Sequence, residues 1–321
     1  MKVIIQIPCF NEEETLGITL DALPRTLPGV DEVEYLIIDD GSTDRTVEVA
    51  KAHGVHHVTS FTYNRGLAAA FMRGLRVAVD QGADIVVNTD ADNQYCADDI
   101  EKLIAPILSG KAGIVVGARP IQDHPHFSGL KKLLQRLGSY MVRLASNTDI
   151  PDAPSGFRAI SRDAAQQLNV FNKYTYTLET IIQAGHKGIP ITSVPIRVNG
   201  DLRPSRLVKS IPSYIYRSVV VIFRIFVVYR PFRFFSLLAC IPFSLGALLG
   251  LRFLIYYGLG KGQGMIQSLI FASLLMSLGF LLFMVALLAD LISVNRQLSE
   301  KMDWRLRQLE TRLVKNETLD E

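Results

Sequence analysis

The sequence predicts an α/β domain with a mainly parallel sheet, followed by two helices that cross a membrane. Six short apolar segments rich in β-branched residues alternate with helical patterns, which is typical of a doubly wound sheet. Two later segments are 24 residues long and almost free of charge. As helices they would measure about 36 Å, enough to cross a hydrocarbon core of about 30 Å. The predicted strands lie at residues 3–7, 35–38, 57–61, 85–88, 114–117 and 191–198, and the predicted spans at 234–257 and 266–289.

The overall composition is consistent with this division. The 321 residues are 49% apolar, with a mean hydropathy of +0.22, which excludes a disordered chain and a purely cytosolic protein. The three cysteines, Cys9, Cys96 and Cys240, form no CxxC motif, so we expect a reducing compartment. Gln6 and Pro8 interrupt the first apolar run, unlike a signal peptide, and we expect the first domain to stay in the cytoplasm.

Basic residues concentrate beside the predicted spans. Residues 197–233 carry eight lysine or arginine residues against one acid, whereas the loop between the spans carries only Lys261. The positive-inside rule therefore places both ends of the hairpin in the cytoplasm. The helical spacing in 207–232 predicts amphipathic helices on the membrane surface or, alternatively, a helix packed on the soluble domain. Residues 295–321 predict a cytoplasmic C-terminal helix whose short apolar stripe makes a homo-oligomer possible, and no nucleic-acid partner is expected.

Polar residues follow the predicted strand at 85–88. Asp90, Asp92 and Gln94 alternate directly after it, where ligands bind at the carboxyl ends of parallel strands. Two carboxylates and an amide suit Mg²⁺ or Mn²⁺ bridging a diphosphate. A lone DxD triplet is more often a solvated turn. The second acidic strand end and the basic groups downstream favour the metal interpretation here.

The second predicted strand ends in Asp39 and Asp40, followed by Gly-Ser-Thr-Asp. These residue types suit a turn and an N-cap ahead of a helix at 47–52. The turn explains residues 41–44 well but leaves Asp39 without a role. We therefore predict that Asp39 accepts hydrogen bonds from the base or ribose of a nucleotide.

Two common nucleotide-binding motifs are missing from the sequence. Neither GxxxxGK[ST] nor GxGxxG occurs, which disfavours a P-loop NTPase and a dehydrogenase. The six histidines show no HExxH spacing, and His124 and His126 are interpreted as solvated loop residues. A nucleotide would have to bind through the acidic strand ends.

Six motifs in order carry a family resemblance over residues 1 to about 200: IPCFNEEETL, IIDDGSTDRT, NRGLAAAFMRGL, NTDADNQY, GARP and SGFRAISRDA. Together they resemble a family 2 glycosyltransferase with the Rossmann-like GT-A fold. The most similar branch is the dolichol-phosphate mannose synthase-like group of polyisoprenyl-phosphate glycosyltransferases. The resemblance implies a catalytic domain at 1–206. The hydropathy and charge patterns predict interfacial helices at 207–232, two membrane helices within 233–294 and a C-terminal helix at 295–321, and members of the family often carry C-terminal membrane helices.

The resemblance also implies roles for individual residues. A nucleotide-sugar donor would lie against Pro8, Phe10, Glu12, Ile37, Asp39, Asp90, Ala91, Arg119 and Arg197, with Mg²⁺ or Mn²⁺ on Asp90, Asp92 and Gln94. The acceptor phosphate would meet Lys132, Arg136, Arg203 and Arg206. The catalytic group would be Asp92, Arg119 and Arg206. The chain departs from the family's GESK segment at 200–206, so either Arg203 or Arg206 could take the role of the family's lysine. We favour Arg206 because it follows Ser205.

The implied reaction is the transfer of one sugar, with inversion, from a UDP- or GDP-hexose to a polyisoprenyl phosphate in the membrane. One alternative is a processive polysaccharide synthase, which resemblance expects to carry QxxRW and many helices. The only tryptophan is Trp304, outside such a motif. Another alternative is a catalytically silent membrane protein that binds nucleotide. The sequence does not predict which sugar or which nucleotide base the donor carries.

Overall fold

The computed structural model describes residues 1–120, 140, 142–143, 146–170, 176–200, 220, 223–224, 227–260 and 266–320. The chain divides into two compact units, one formed by Met1–Val219 with Asp303–Glu321 and the other by Val220–Met302. The elements in chain order are β1 (Lys2–Cys9), α1 (Leu16–Ala22), β2 (Glu32–Asp39), α2 (Thr46–Ala52), β3 (His57–Ser60), α3 (Leu67–Asp80), β4 (Ile85–Asn88), a 3₁₀ turn (Ala97–Asp99), α4 (Ile100–Leu108), β5 (Ile114–Ala118), β6 (Arg158–Ser161), α5 (Arg162–Gln167), α6 (Thr177–Lys187), β7 (Ile191–Pro195), α7 (Pro231–Gly258) and α8 (Ile266–Asp320).

The strands of the first unit form one seven-stranded sheet in the order β3-β2-β1-β4-β6-β5-β7. All described pairings are parallel except those of β6, which is antiparallel to both β4 and β5. All residues of β1 after Lys2 are buried, because helices cover both faces of the sheet. This confirms the predicted mainly parallel α/β fold.

The strand order reverses beside β1, which lies between β2 and β4. The register aligns Cys9 of β1 with Asp39 of β2, and Gln6 of β1 with Asn88 of β4. The carboxyl ends of these three strands therefore meet at one edge. A crevice at such a switch point is where open α/β sheets bind ligands.

The predicted strands all occur, with small differences at their ends. The strand predicted at 191–198 stops at Pro195, and the one predicted at 57–61 stops at Ser60. The sequence pattern does not predict β6, a four-residue strand that begins with the buried Arg158. Its charged first residue and its short length give no apolar run to recognise.

The second unit contains α7 and the part of α8 up to residue 302. Both helices contain a stretch that is long and apolar enough to cross a membrane, within Pro231–Gly258 and Ile266–Leu306. Two glycines bring them together, because a Cβ at Gly246 would lie 2.8 Å from the Ala272 carbonyl and one at Gly279 would lie 2.7 Å from Phe243 Cβ. Small residues allow this close approach in membrane helices. Residues 295–321, predicted as a C-terminal helix, continue α8 as far as Asp320.

Candidate active site

The loops after β1 and β2 are joined by hydrogen bonds. The Asn11 amide donates to Ser42 Oγ at 2.9 Å, and the Thr43 amide donates back to Asn11 Oδ1 at 2.8 Å. The Glu12 amide donates to Thr46 Oγ1 at 2.8 Å. Asn11 has a φ of 54°, a left-handed conformation that asparagine tolerates better than most residues. These bonds fix the rim of the crevice on the side of Asp39.

The two aspartates at the end of β2 have different structural partners. Asp39 Oδ1 accepts the Ser42 amide at 2.9 Å, which closes the turn after the strand. Asp40 accepts the amides of Arg65 and Gly66, at 2.7 and 2.8 Å, ahead of α3. The turn therefore also uses Asp39, which the sequence interpretation left without a structural role. Its predicted contact with a nucleoside stays a prediction.

Asp90 lies two residues beyond β4, at the carboxyl-end edge of the sheet. Tyr95 hydrogen-bonds to its carboxylate, and Arg119 lies close enough to attract it. Burial and the neighbouring charge of Asp92 nevertheless raise the pKa of Asp90 to about 7. Burial also raises the pKa of Tyr95, so the phenol keeps its proton and donates it. The Asp90 carboxyl group thus lies near a second carboxylate, that of Asp92, and near the cation of Arg119.

The predicted metal ligands lie in one short turn. Asp92 Oδ1 accepts the Gln94 amide at 3.2 Å, and both residues are partly exposed beside Asp90. Within the described part of the chain, no three His, Cys, Asp or Glu side chains form a metal cluster. The predicted set differs from such a cluster because its third member is an amide. Two carboxylates, one with a raised pKa, and an amide oxygen fit a hard divalent cation.

Arg119 faces this turn from the end of β5 and is held by Asp152. Its Nε and Nη2 donate to the two Asp152 oxygens at 2.7 and 3.0 Å, and its amide donates to Oδ2 at 3.2 Å. The Asp152 side chain is 1% exposed and that of Arg119 is 17% exposed. Although burial opposes it, the hydrogen bond to Asp152 raises the pKa of Arg119, which stays charged. The sequence analysis missed Asp152, because it lies 33 residues further along the chain.

Gly156, a second residue that was not predicted as part of the site, lies directly against Asp90. A Cβ at this position would lie 3.2 and 3.3 Å from the two Asp90 oxygens. The Gly156 amide donates to Tyr95 Oη at 3.1 Å, and its carbonyl accepts from Asn88 Nδ2 at 2.9 Å. The motif Ser-Gly-Phe-Arg was visible in the sequence, but its contact with the acidic turn was not.

Arg197 forms ion pairs with carboxylates at the beginning of α4. Its predicted contact with phosphate stays a prediction. Its Nη2 and Nε lie 3.0 and 3.2 Å from Asp99 Oδ1, and its amide donates to Asp99 Oδ2 at 2.6 Å. Burial works against the charge of Asp99, but hydrogen bonds from Arg197 hold its pKa below the ordinary value. This pair joins the segment after β7 to α4, so Arg197 has a structural role in the fold.

The other predicted donor residues differ in accessibility. Phe10 is 40% exposed, and Glu12 is partly exposed with its carboxylate accepting the Thr15 hydroxyl at 3.0 Å. Pro8, Ile37 and Ala91 are buried, so only backbone atoms or small parts of their side chains reach the crevice. The predicted acceptor residues Lys132, Arg136, Arg203 and Arg206 lie outside the described residues.

Comparison with known proteins decides the family. The model named Glycosyl transferase family 2 matches residues 4–168, which is more than half of the chain and includes the acidic turn and Arg119. The chain belongs to glycosyl transferase family 2. Among its relatives, UDP-N-acetylglucosamine–dolichyl-phosphate N-acetylglucosaminyltransferase of Methanococcus voltae is 31% identical, over 61% of this chain and 84% of its own. The undecaprenyl-phosphate mannosyltransferase of Micrococcus luteus is 26% identical, over 64% of this chain and 88% of its own.

Solved structures share the fold of this glycosyltransferase. Glucosyl-3-phosphoglycerate synthase from Mycobacterium tuberculosis, in complex with Mn²⁺, UDP and glucosyl-3-phosphoglycerate, superposes with a TM-score of 0.55 at 20% identity. The match covers 70% of this chain and 78% of the other. A complex of the same enzyme with Mg²⁺ and UDP gives a TM-score of 0.54 at 20% identity. The likeness confirms the GT-A fold.

Proposed function

We propose that this glycosyltransferase moves one sugar from a nucleoside diphosphate sugar to a polyisoprenyl phosphate at a membrane. The observation that carries the proposal is the joining, in one chain, of the acidic turn at Asp90 and Asp92 to two helices of membrane length. Two relatives named for lipid phosphate acceptors support the acceptor class. The cluster of basic residues at 197–233 supports a cytoplasmic catalytic unit.

The proposed reaction needs little help from a general base. A phosphate monoester has a second pKa near 6, so at pH 7 the acceptor is largely ionised and already nucleophilic. One of its oxygens attacks the anomeric carbon. On the opposite face, the bond from this carbon to the nucleoside diphosphate breaks, and its electron pair leaves with the diphosphate oxygen. The product is therefore a lipid-linked sugar with inverted configuration.

The residues of the crevice position the donor and stabilise the charge that leaves. A divalent cation, Mg²⁺ or Mn²⁺, would bind to Asp90, Asp92 and Gln94 and supply positive charge to the diphosphate. Arg119 stays charged through Asp152, and its exposed edge stabilises negative charge on the departing oxygen. Phe10, exposed at the rim, offers an aromatic face to the base.

The test is transfer by the purified protein in detergent. Radiolabelled UDP- and GDP-sugars are each incubated with a polyprenyl phosphate and with Mg²⁺ or Mn²⁺. We expect one lipid-linked sugar with one donor class, and Asp92→Ala should abolish its formation. Asp21→Ala is the control, because this carboxylate of α1 is 72% exposed and is not among the predicted site residues. Absence of lipid-linked sugar across the donor panel, or full activity of Asp92→Ala, would overturn the proposal.

Product size separates the proposed enzyme from a processive synthase. The described residues include two helices of membrane length, whereas a polymer channel needs more. We expect one sugar per lipid with no ladder of longer products on a gel. A ladder would support the processive alternative, and nucleotide binding without transfer would support a silent binding protein.

A further inference from the structure

Arg158 is a fully buried charge beside the crevice. It begins β6 at 0% exposure and is among the largest fully buried side chains that the structure describes. The register places it opposite Asn88 of β4 and Val116 of β5. Burial of an arginine without good polar contacts is costly, so its presence in the middle of a sheet needs a reason.

The guanidinium of Arg158 is satisfied by neutral groups. Nε donates to the Ser155 carbonyl at 2.9 Å, and Nη2 donates to the Ala153 carbonyl at 2.8 Å. Nη1 donates to the Thr180 hydroxyl, and Cζ lies 5.7 Å from the centre of the Tyr176 ring. Among the residues that the structure describes, Arg158 forms no ion pair. Burial accordingly lowers its pKa to about 10, which still leaves it charged at neutral pH.

The two carbonyls that Arg158 holds belong to the segment 152–156, which connects the two halves of the site. At its beginning Asp152 binds Arg119 through both carboxylate oxygens. At its end Gly156 packs against Asp90 and donates to Tyr95. Arg158 therefore holds the middle of a short segment whose two ends contact the predicted metal ligand and the predicted phosphate-binding arginine.

We propose that Arg158 is a positioning residue for sugar transfer, fixing the segment 152–156 so that Arg119 and Asp90 keep their relative positions. The inference rests on the proposed function for its activity readout. Arg158 does not reach the crevice itself, because it has no exposed surface. A neutral side chain of similar volume would fill the space without anchoring both carbonyls, and a lysine would carry the charge without the planar set of donors.

The test compares Arg158→Met, Arg158→Lys and Thr180→Val with a matched control, Arg162→Met. Arg162 lies at the other end of β6 and donates to the Val79 carbonyl at 3.1 Å, away from the crevice. We expect Arg158→Met to lower kcat about 10- to 100-fold, the loss typical of hydrogen bonds to a charged group, with a smaller effect on the KM for the acceptor. Arg158→Lys should recover only part of this loss. The control should keep wild-type kcat.

Two further readouts separate positioning from general stability. Mn²⁺ affinity, measured by calorimetry in the presence of UDP or GDP, should fall about 10-fold in Arg158→Met and not in Arg162→Met. A double-mutant cycle compares the effect of Arg158→Met in the wild type with its effect in Asp152→Asn. The loss of activity should be smaller in Asp152→Asn, because Arg158 and Asp152 act through the same segment. If Arg158→Met does not fold, Thr180→Val decides, and a loss of kcat at an unchanged unfolding midpoint supports the inference.

Wild-type kcat and Mn²⁺ affinity in both Arg158→Lys and Thr180→Val would overturn the inference while leaving the proposed function intact. Fully multiplicative effects in the cycle would also overturn it, because they would mean that Arg158 acts independently of Asp152. Failure of the wild-type protein to transfer any sugar would instead refute the proposed function, and the Mn²⁺ affinities would still report on Arg158.

Discussion

Replacing Gly156 with alanine tests the geometry of the acidic turn most directly. The added Cβ would lie 3.0 Å from Tyr176 Oη and 3.2 and 3.3 Å from the two Asp90 oxygens. These separations are shorter than ordinary carbon–oxygen contacts, so the Asp90 carboxylate must move by a few tenths of an ångström. Gly156 is not among the residues with positive φ, so the substitution adds no backbone strain. The perturbation is therefore a local displacement of one predicted metal ligand.

The expected magnitudes for stability and activity differ. Overpacking a buried site costs about 1–3 kcal/mol. Alanine leaves the unfolded chain fewer conformations than glycine does, and this offsets about 0.4–1 kcal/mol of that cost. The unfolding free energy should therefore fall by roughly 0 to 2.6 kcal/mol. A misplacement of 1 Å can cost about 100-fold in rate, so a shift of a few tenths of an ångström should cost about 10-fold in kcat.

Gly113→Ala provides a matched control for this prediction. Its Cβ would also have its closest contact at 3.0 Å, but with a methyl group of Ile189 rather than with the acidic turn. Thermal unfolding and sugar transfer are measured for both variants, together with Mn²⁺ affinity. We expect similar losses of stability, with reduced metal affinity and transfer only in Gly156→Ala. Equal metal affinity and equal transfer in the two variants would refute the contact between Gly156 and a functional carboxylate.

Two further predictions concern ion pairs. Asp152→Asn leaves the largely buried charge of Arg119 without its carboxylate. The unfolding free energy should therefore fall by about 3 kcal/mol, and the rate of sugar transfer by about 100-fold. Chemical unfolding and initial rates measure these losses, and a fully active variant would contradict the prediction. Burial opposes ionisation of Glu34, but hydrogen bonds from Lys2 and His57 hold its pKa below the ordinary value. Because the folded pKa is the lower one, Glu34 stabilises the fold above its unfolded pKa, and this contribution is lost as the pH falls through the folded pKa. The stability difference between the wild type and Glu34→Gln should therefore be present at pH 7 and vanish between about pH 5 and pH 3; a difference independent of pH would contradict the assignment.

The parts of the fold that depend on local pattern follow from the sequence. β1 and β4 consist mainly of apolar residues because both faces of the sheet are covered, so most of their buried character can be read from their residues. The position of Asp90 follows as well, because it comes two residues after a strand whose carboxyl end faces the crevice. The two helices α7 and α8 exceed the predicted spans at 234–257 and 266–289 only by extension at their ends.

The parts that depend on distant pairing do not follow from the sequence. β6 is a strand because β4 and β5 lie on either side of it, and four residues beginning with arginine carry too little propensity to indicate this. Asp152 is hidden for a related reason, since a carboxylate between prolines resembles any loop residue until the fold places it against Arg119. The salt bridge of Arg197 with Asp99 could not be read from the sequence either, because the two residues lie 98 positions apart.

The proposed acceptor explains why a single hairpin accompanies this catalytic domain. Each buried methylene of a lipid chain contributes about 0.8 kcal/mol to membrane partitioning, so a polyisoprenyl chain of tens of carbons does not leave the bilayer to meet an enzyme in solution. Its phosphate is confined to the headgroup region, and a tethered enzyme meets it at a raised effective concentration without needing a channel. Two helices packed through Gly246 and Gly279 are sufficient for that tether. The two apolar helices therefore bear on the choice of acceptor and not on the choice of donor.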